Sequence, residues 1–404
     1  MTTPDAVTAR LHAILAGPMA CPRIDRFAPE ARLGHDLGLD SVQLMTLMLH
    51  LEEDGIEMAE DTFDRAPGLT IRALAEALSG TAPEAPEEEP VDIKVHCVVS
   101  CFCQALKDRG GIDHRPLYLG LWDGQVVTDA RMRLSYHADD IDHDFYCRWM
   151  ARLFGVAVTR WHDPRGGPQA NLARLDALIA EWRPGRYVMP MIDMFLLPQR
   201  DNRFAQDPFP HYALLEPSGD AGVWLMRDPD FRWEGLLPAD DIRRAFLRDT
   251  VAGGFSFDNA AARPARDADI AALFAETFRP DALPLIDLLR RIVDAHDGPL
   301  PRADLEPALR ELPVIAIRKY AYEHALAIFG RIDGPDHAAF EECCDRIAAL
   351  HGGLNAFHRR AVAHARGGGD VGALHRQLDD LAAIERGIKA TVAAWQARWA
   401  AART

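Results

Sequence analysis

Apolar residues recur every three to four positions along residues 4–16, with Val7, Leu11, Ile14 and Leu15 on one face, which predicts an amphipathic helix. Ser41–Glu53 repeats the pattern with Val42, Leu44, Met45, Met48, Leu49 and Leu51. Asp40 or Ser41 stands where an N-cap belongs, since either side chain can accept from the open amides of a first helical turn. Thr70–Leu78 opens on another cap residue and predicts a last helix, so this region reads as a small helical bundle with one long loop between its first two helices. Further on, Cys97 begins an apolar stretch that can run as a helix through Leu106. Tyr187–Pro198 reads as a strand. His211–Leu215 and Gly222–Pro229 are short apolar runs separated by Glu-Pro-Ser-Gly-Asp-Ala-Gly, which predicts a hairpin. Beyond residue 263 the period is helical: Asp267–Thr277, Ala282–Ala295, Arg302–Arg310, Val314–Phe329, His337–Leu350 and Gly372–Trp399, the last two parted by Gly367-Gly-Gly-Asp370.

Charge divides the chain as sharply as the pattern does. Residues 1–80 carry six arginines and no lysine against thirteen acidic residues, and the whole 404-residue chain has a formal charge of −16. That acidity argues against a general nucleic-acid binder, because phosphate contacts need a basic surface. Between the two halves, Thr81-Ala-Pro-Glu-Ala-Pro-Glu-Glu-Glu-Pro90 reads as a semi-stiff tether, since its prolines break regular structure and its like charges stretch the chain. The pattern predicts domains at 1–80, 94–262 and 263–404, with a linker at 81–93 and one domain moving relative to the other. No run of eighteen apolar residues predicts a membrane span. The first residues lack a secretory pattern, and seven cysteines without metal-site spacing point to free thiols in a reducing cytoplasm.

The segment Asp36-Leu-Gly-Leu-Asp40-Ser41-Val42-Gln-Leu44 strongly resembles the acyl/peptidyl carrier protein family, which places Gly-hydrophobe-Asp-Ser-hydrophobe at the start of its second helix. Glu52-Glu53-Asp54-Gly-Ile56-Glu57-Met58 and Thr70-Ile71-Arg-Ala-Leu74 extend the likeness over residues 1–80. An isolated Asp-Ser pair is more often an ordinary helix cap; the match over the whole module reverses that reading. The resemblance implies a four-helix carrier bundle with 4′-phosphopantetheine on Ser41. A phosphodiester there would meet open amides and the positive end of the helix dipole. It also implies two partners, a phosphopantetheinyl transferase and an adenylating enzyme that loads the acyl group.

In the larger module, Cys97 at a helix start would have its thiolate stabilised by the helix N-terminus. Cys101 and Cys103 fall inside the helix and read as core. An antiparallel hairpin brings the start of one strand beside the end of the next, which would make neighbours of His211 and Asp228 and give a thiol nucleophile its base and the base its orienter. This order of Cys, His and Asp resembles papain-like cysteine enzymes, with an α+β fold, and its Asp-Pro ending looks like their bacteriocin-processing branch. His96-Cys97, the Asp193 strand ending in Leu-Pro, and His211 to Asp228 resemble more specifically the butirosin-type acyltransferases, which move an acyl group from a carrier protein to an amine. The carrier-to-spermidine condensing enzymes of petrobactin assembly are a functional parallel. The likeness spans residues 94–240 and departs at one point: Val91 stands where papain-like proteases place a glutamine as oxyanion donor.

Taken together, these readings lead to a carrier-dependent N-acyltransferase of natural-product or siderophore biosynthesis. The acyl group would pass from Ser41 through Cys97 to a small amine, with Asp193 and Glu216 as carboxylates for a cationic acceptor. Two alternatives stay open: a thioesterase or peptidase using the same three residues with water, and a non-catalytic platform for carrier docking. Trp395 and Trp399 lie one turn apart and read as packing. Cys343-Cys344 makes a poor metal pair and His351, His358, His364 and His375 lack ligand spacing, so no metal is expected.

Overall fold

The computed structural model describes residues 3–21, 23–33, 36–37, 39, 41–54, 56, 69–79, 95–138, 141–200, 206–330 and 337–403. They fall into two compact units, residues 1–92 with 194–209, and residues 93–193 with 210–404.

In the first unit, α1 (Pro4–Ala16), α2 (Ser41–Glu53) and α3 (Ile71–Leu78) occupy the ranges their periodicity predicts. Thr3 caps α1, its hydroxyl accepting from the Ala6 amide at 3.3 Å, and Pro4 takes the first-turn position where no amide is missed. Thr70 caps α3 in the same way, accepting from Ala73 at 3.1 Å. The apolar faces meet in one core: Val7, Leu11, Ile14 and Leu15 from α1, Leu44, Leu47 and Leu51 from α2, Ile71 and Leu74 from α3. The long loop before α2 adds Leu33, Leu37 and Leu39 to that core. Backbone bonds Leu33 N to Leu69 O (3.2 Å) and Ile71 N to Ala31 O (2.9 Å) join the loop to the start of α3. Asp40, Glu57 and Met58, and the tether, lie outside the described residues.

The second unit is built on an antiparallel sheet. It opens with α4 (Cys97–Arg109), the ribbon β1 (Val127–Thr128) and β2 (Leu134–Ser135), α5 (Asp144–Phe154), β3 (Val158–Arg160) and α6 (Gly167–Ala180). Then come β4 (Arg186–Asp193), β5 (Pro210–Tyr212), β6 (Leu214–Pro217), β7 (Val223–Asp228), β8 (Trp233–Pro238), α7 (Ala239–Phe246) and β9 (Gly254–Asp258). The strand order is β3-β9-β4-β6-β7-β8, with β5 also on β4. Strand β4 is central and buried along nearly its whole length, as a near-continuous apolar run requires. It ends at Asp193, and Met194–Leu196 is a 3₁₀ turn, so the strand expected to reach Pro198 is shorter.

The expected hairpin forms, with one interruption. β5 and β6 keep a single register on β4, shown by Met191 opposite Tyr212 and Val188 opposite Leu215, but the ladder lapses at Pro190 and Ala213. Proline has no amide to donate, and the link left is Ala213 N to the Pro190 carbonyl at 3.2 Å. β6 then pairs with β7, Leu214 opposite Arg227.

Helices α8 (Asp267–Thr277), α9 (Pro284–Asp297), α10 (Leu305–Ala308), α11 (Leu312–Ala316), α12 (Ala321–Phe329), α13 (His337–Ala365) and α14 (Val371–Ala401) complete the chain. The helix expected over Val314–Phe329 is three pieces, α11, a 3₁₀ turn at Ile317–Tyr320, and α12. The Arg302–Arg310 helix is likewise a 3₁₀ turn followed by α10. Helix α13 runs fifteen residues past its predicted end at Leu350, because Leu354, Phe357, Ala361 and Ala365 keep burying the same face. Among the described residues no helix is long and apolar enough to cross a membrane.

The sheet and these helices share one continuous core, from Phe102 and Leu106 of α4 through Phe255 and Phe257 of β9 to Phe329 and Trp399. Two lysines are buried inside it. Lys319 reaches Glu385 at 2.5 Å and donates to the Trp122 carbonyl at 2.7 Å, while Lys389 reaches Asp123 at 2.5 Å and the Ala282 carbonyl at 2.6 Å. Each cation has an anion and at least one carbonyl, the condition under which a buried ion pair is tolerated.

All eight tryptophans lie beyond residue 94, so their fluorescence reports this unit alone. Lys319→Met is expected to cost about 3–5 kcal/mol in urea unfolding followed that way, because Glu385 is left charged and buried. Adding Glu385→Leu should recover part of that loss. A single-variant cost within error of zero would show that the cluster is hydrated.

Candidate functional site

Helix α4 begins at Cys97, with His96 as its N-cap residue. The His96 side chain makes no capping bond; the cap comes from the β7–β8 turn. There one oxygen of Asp230 accepts from the His96 amide at 3.1 Å and from the Ser100 hydroxyl at 2.7 Å. The partly buried Cys97 thiol is hydrogen-bonded with the backbone of Tyr212, and Cys101 Sγ donates to the Tyr212 carbonyl at 3.7 Å. Tyr212 is the neighbour of His211 on β5.

Register brings His211 to Asp228. With Leu214 opposite Arg227, Asp228 falls opposite position 213, and His211 is its diagonal neighbour two residues along on the same face. The imidazole Nε2 and the Asp228 carboxylate are 3.0 Å apart, both buried. Phe231 of the following turn packs edge-on against the imidazole at 5.4 Å. Cys97, His211 and Asp228 thus converge where the start of α4 meets the β5 and β7 strands. Ser41 belongs to the other unit and is the first residue of α2.

Electrostatics differ from the expectation for a thiol at a helix start. Burial pushes the Cys97 thiol up to about 12, and the Asp230 carboxylate adds to that, so the anion favoured by the helix end is opposed by the residue capping it. At neutral pH the Cys97 side chain is a thiol, not a thiolate. Burial, then the Arg318 guanidinium and the His143 and His211 rings, hold His96 well below the usual imidazole range. His143 is pushed down to about 4 by burial and Arg318. Burial likewise raises the phenols of Tyr146, Tyr136 and Tyr212. The thiol therefore sits among neutral imidazoles and phenols.

The two carboxylates expected to receive a cationic substrate are engaged by arginines. Asp193 is fully buried, 3.2 Å from Arg248 Nε and accepting from the Thr250 hydroxyl at 3.3 Å. Glu216 is ion-paired with Arg227, which also reaches Asp108 at 3.1 Å. Sequence reasoning did not find Asp230, although Asp228-Pro-Asp230 is a visible pattern. Nor did it find His143, Tyr136, Tyr146 or Arg318, which no spacing connects to Cys97. Among the described residues no group of three His, Cys, Asp or Glu side chains could hold a metal ion.

Residues 9–78 match the phosphopantetheine attachment site family, residues 92–262 the DUF6005 N-terminal domain and residues 268–404 the DUF6005 C-terminal domain. Petrobactin synthase of Bacillus anthracis is 36% identical over 303 residues, covering 74% of this chain and 92% of that protein. The N-terminal unit is thus a domain for covalent phosphopantetheine attachment, fused to a region similar to a biosynthetic enzyme. A serine opening α2 suits that group, since the first-turn amides of a helix lack intrahelical partners and favour a phosphate.

A thiol held near 12 dictates how Cys97 alkylates. Its iodoacetamide rate, read by peptide mass, should rise about tenfold per pH unit from pH 7 through pH 10, following the thiolate fraction. A plateau between pH 6 and 8 would instead mean a thiolate–imidazolium pair at rest.

Proposed function

The chain belongs to the petrobactin synthase family, and from that membership and its own carrier domain we propose that it is an amide-forming acyltransferase of siderophore-type biosynthesis, moving an acyl group from Ser41 through Cys97 to an amine. The observation that carries the reading is the buried His211–Asp228 pair at 3.0 Å, built beside a cysteine at a helix N-terminus. A cysteine on a helix followed by histidine and aspartate on antiparallel strands also supports the papain-like assignment. Phosphopantetheine on Ser41, when bound, supplies the acyl group as a thioester. A carrier domain in turn requires a phosphopantetheinyl transferase and an acyl-loading enzyme as partners.

Since Cys97 rests as a thiol, His211 acts as general base during attack rather than as half of a standing ion pair. With Nε2 on Asp228, Nδ1 is the nitrogen that takes the thiol proton. Asp228 holds the ring's orientation and stabilises the imidazolium that forms. The Cys97 sulfur bonds to the carbonyl carbon, and the departing thiol recovers its proton from His211. The amine then attacks the acyl-Cys97 thioester, His211 takes its proton, and that proton passes to the leaving Cys97 sulfur. Exchange between thioesters is close to isoenergetic, and amide formation drives the sequence forward. Asp193 and Glu216, each held by an arginine, serve the sheet in this reading.

Ser41→Ala should abolish attachment of the arm, read as intact mass after treatment with a phosphopantetheinyl transferase and coenzyme A. Cys97→Ala should stop transfer while leaving the thioester on the carrier, and His211→Ala should slow transfer by about 10²–10⁴. Asp228→Asn should be milder. The double variant Cys97→Ala/His211→Ala should be little worse than either single one, as expected of groups acting as a unit. Wild-type rates for Cys97→Ala would leave direct attack of the amine with His211 as base. Product that forms equally well without amine would make the protein a hydrolase.

A further inference from the structure

Arg318 and Lys319 are adjacent, both buried, and treated in opposite ways. Lys319 is compensated by Glu385 and Asp123. Arg318 is 5% exposed, and its one hydrogen bond among the described residues runs from Nη1 to the Gln125 carbonyl at 3.2 Å. Its guanidinium lies over the Tyr136 ring at 5.8 Å and has no carboxylate within ion-pair distance among the described residues. Stripping a cation of water without supplying an anion is expensive, and this core pairs its other two buried cations.

The surroundings of Arg318 are the surroundings of Cys97. After burial, Arg318 is the strongest electrostatic influence on His96, His143 and Tyr146, and it also acts on Tyr136 and on Cys97 itself. A Cβ at Gly124 would stand 3.3 Å from Arg318 Nη1 and 3.6 Å from the Tyr146 hydroxyl, so the bare glycine lets both approach. Two further polar atoms there are buried without a hydrogen-bond partner among the described residues: His96 Nδ1, on a residue 7% exposed, and the Tyr136 hydroxyl, also on a residue 7% exposed. An unpaired buried cation with orphaned polar groups around it is prepared for negative charge that arrives only during reaction.

We propose that Arg318, contributed by the C-terminal helical region, is the electrophilic residue of the Cys97 site, donating to the carbonyl oxygen of the acyl group as that oxygen takes up negative charge. The assignment rests on Cys97 being the nucleophile. When the Cys97 sulfur bonds to the carbonyl carbon, the π pair of the C=O moves to oxygen and is met by the guanidinium. Collapse reforms the C=O, breaks the bond to the leaving group and returns its proton through His211. Attack by the amine repeats the same charge movement, so Arg318 serves both halves. This assigns to Arg318 a task for which the segment before Cys97 has no side chain, Val91 standing in the customary place of an oxyanion donor.

The test compares two reactions of one sulfur in the full chain without its arm. Acylation of Cys97 by p-nitrophenyl acetate passes through a tetrahedral oxyanion and releases a coloured burst; alkylation by iodoacetamide forms no oxyanion. Arg318→Gln should slow the Cys97-dependent burst by about 10²–10³-fold, the scale of losing one oxyanion donor. Alkylation of Cys97 in the same variant should stay within about threefold, and Arg318→Lys should recover part of the burst by keeping the charge. Equal losses in both reactions, or an unchanged burst, would overturn the proposal, the first assigning Arg318 to structure and the second to neither. If wild type shows no burst above Cys97→Ala, the nucleophile assignment itself falls, an outcome distinct from failure at Arg318.

Discussion

One oxygen of Asp230 accepts both the His96 amide and the Ser100 hydroxyl, and through those two bonds it ties the first turn of α4 to the turn that follows Asp228. Helix and hairpin are far apart in sequence and pair with different neighbours. This link adds to the bonds that Cys97 and Cys101 make with the Tyr212 backbone, and together they hold the thiol of the helix beside the imidazole–carboxylate pair of the sheet. Effective nucleophile–base cooperation tolerates little displacement, so the cap is as much a part of the site as the groups it aligns. Its charge has a second consequence. Burial first, and then this carboxylate at the mouth of α4, oppose the acidifying effect of the helix end, so Cys97 rests as a neutral thiol.

Charge inside this unit obeys a simple distinction. Lys319 and Lys389 join the Asp123 turn to α14 and to the segment before α9, with Glu385 and Asp123 opposite them. Those pairs join the helices to the Asp123 turn and match each buried cation with an anion. Arg318, one residue away from Lys319, has no carboxylate within ion-pair distance among the described residues and acts on His96 and Cys97. Trp122, whose carbonyl accepts from Lys319, stacks on Tyr322 at 4.5 Å, and Tyr118 stacks on His324 at 3.9 Å. The region after residue 263 therefore brings Arg318 to the surroundings of His96 and Cys97 as well as a share of the core.

The N-terminal unit works by different physics. Among the described residues its core is aliphatic apart from Cys21, drawn mainly from three short helices and three leucines of one loop, with polar bonds at helix caps and loop ends. Such a core fixes where α2 begins and asks little of its exposed face, which suits a domain whose modified residue opens a helix.

Amphipathic period was enough to place α1, α2 and α3, because each is a local amphipathic unit, and Ser41 and Thr70 mark where the last two begin. The Asp40-Ser41 signature was legible for the same reason: its chemistry lies in adjacent residues. The approach of His211 to Asp228 was readable because antiparallel pairing is a short-range rule, and the turn between β6 and β7 is visible in composition. What sequence could not supply were the contacts made across long separations. Asp230 capping α4, Arg318 entering the Cys97 site, and Arg248 and Arg227 claiming Asp193 and Glu216 are set by how the sheet and helices pack, and no local period encodes them. The rise of the Cys97 thiol belongs with them. A helix start predicts a stabilised thiolate, whereas burial and a carboxylate brought by another element decide the opposite, since desolvation and Coulomb energy depend on every neighbour in space and not on neighbours in sequence.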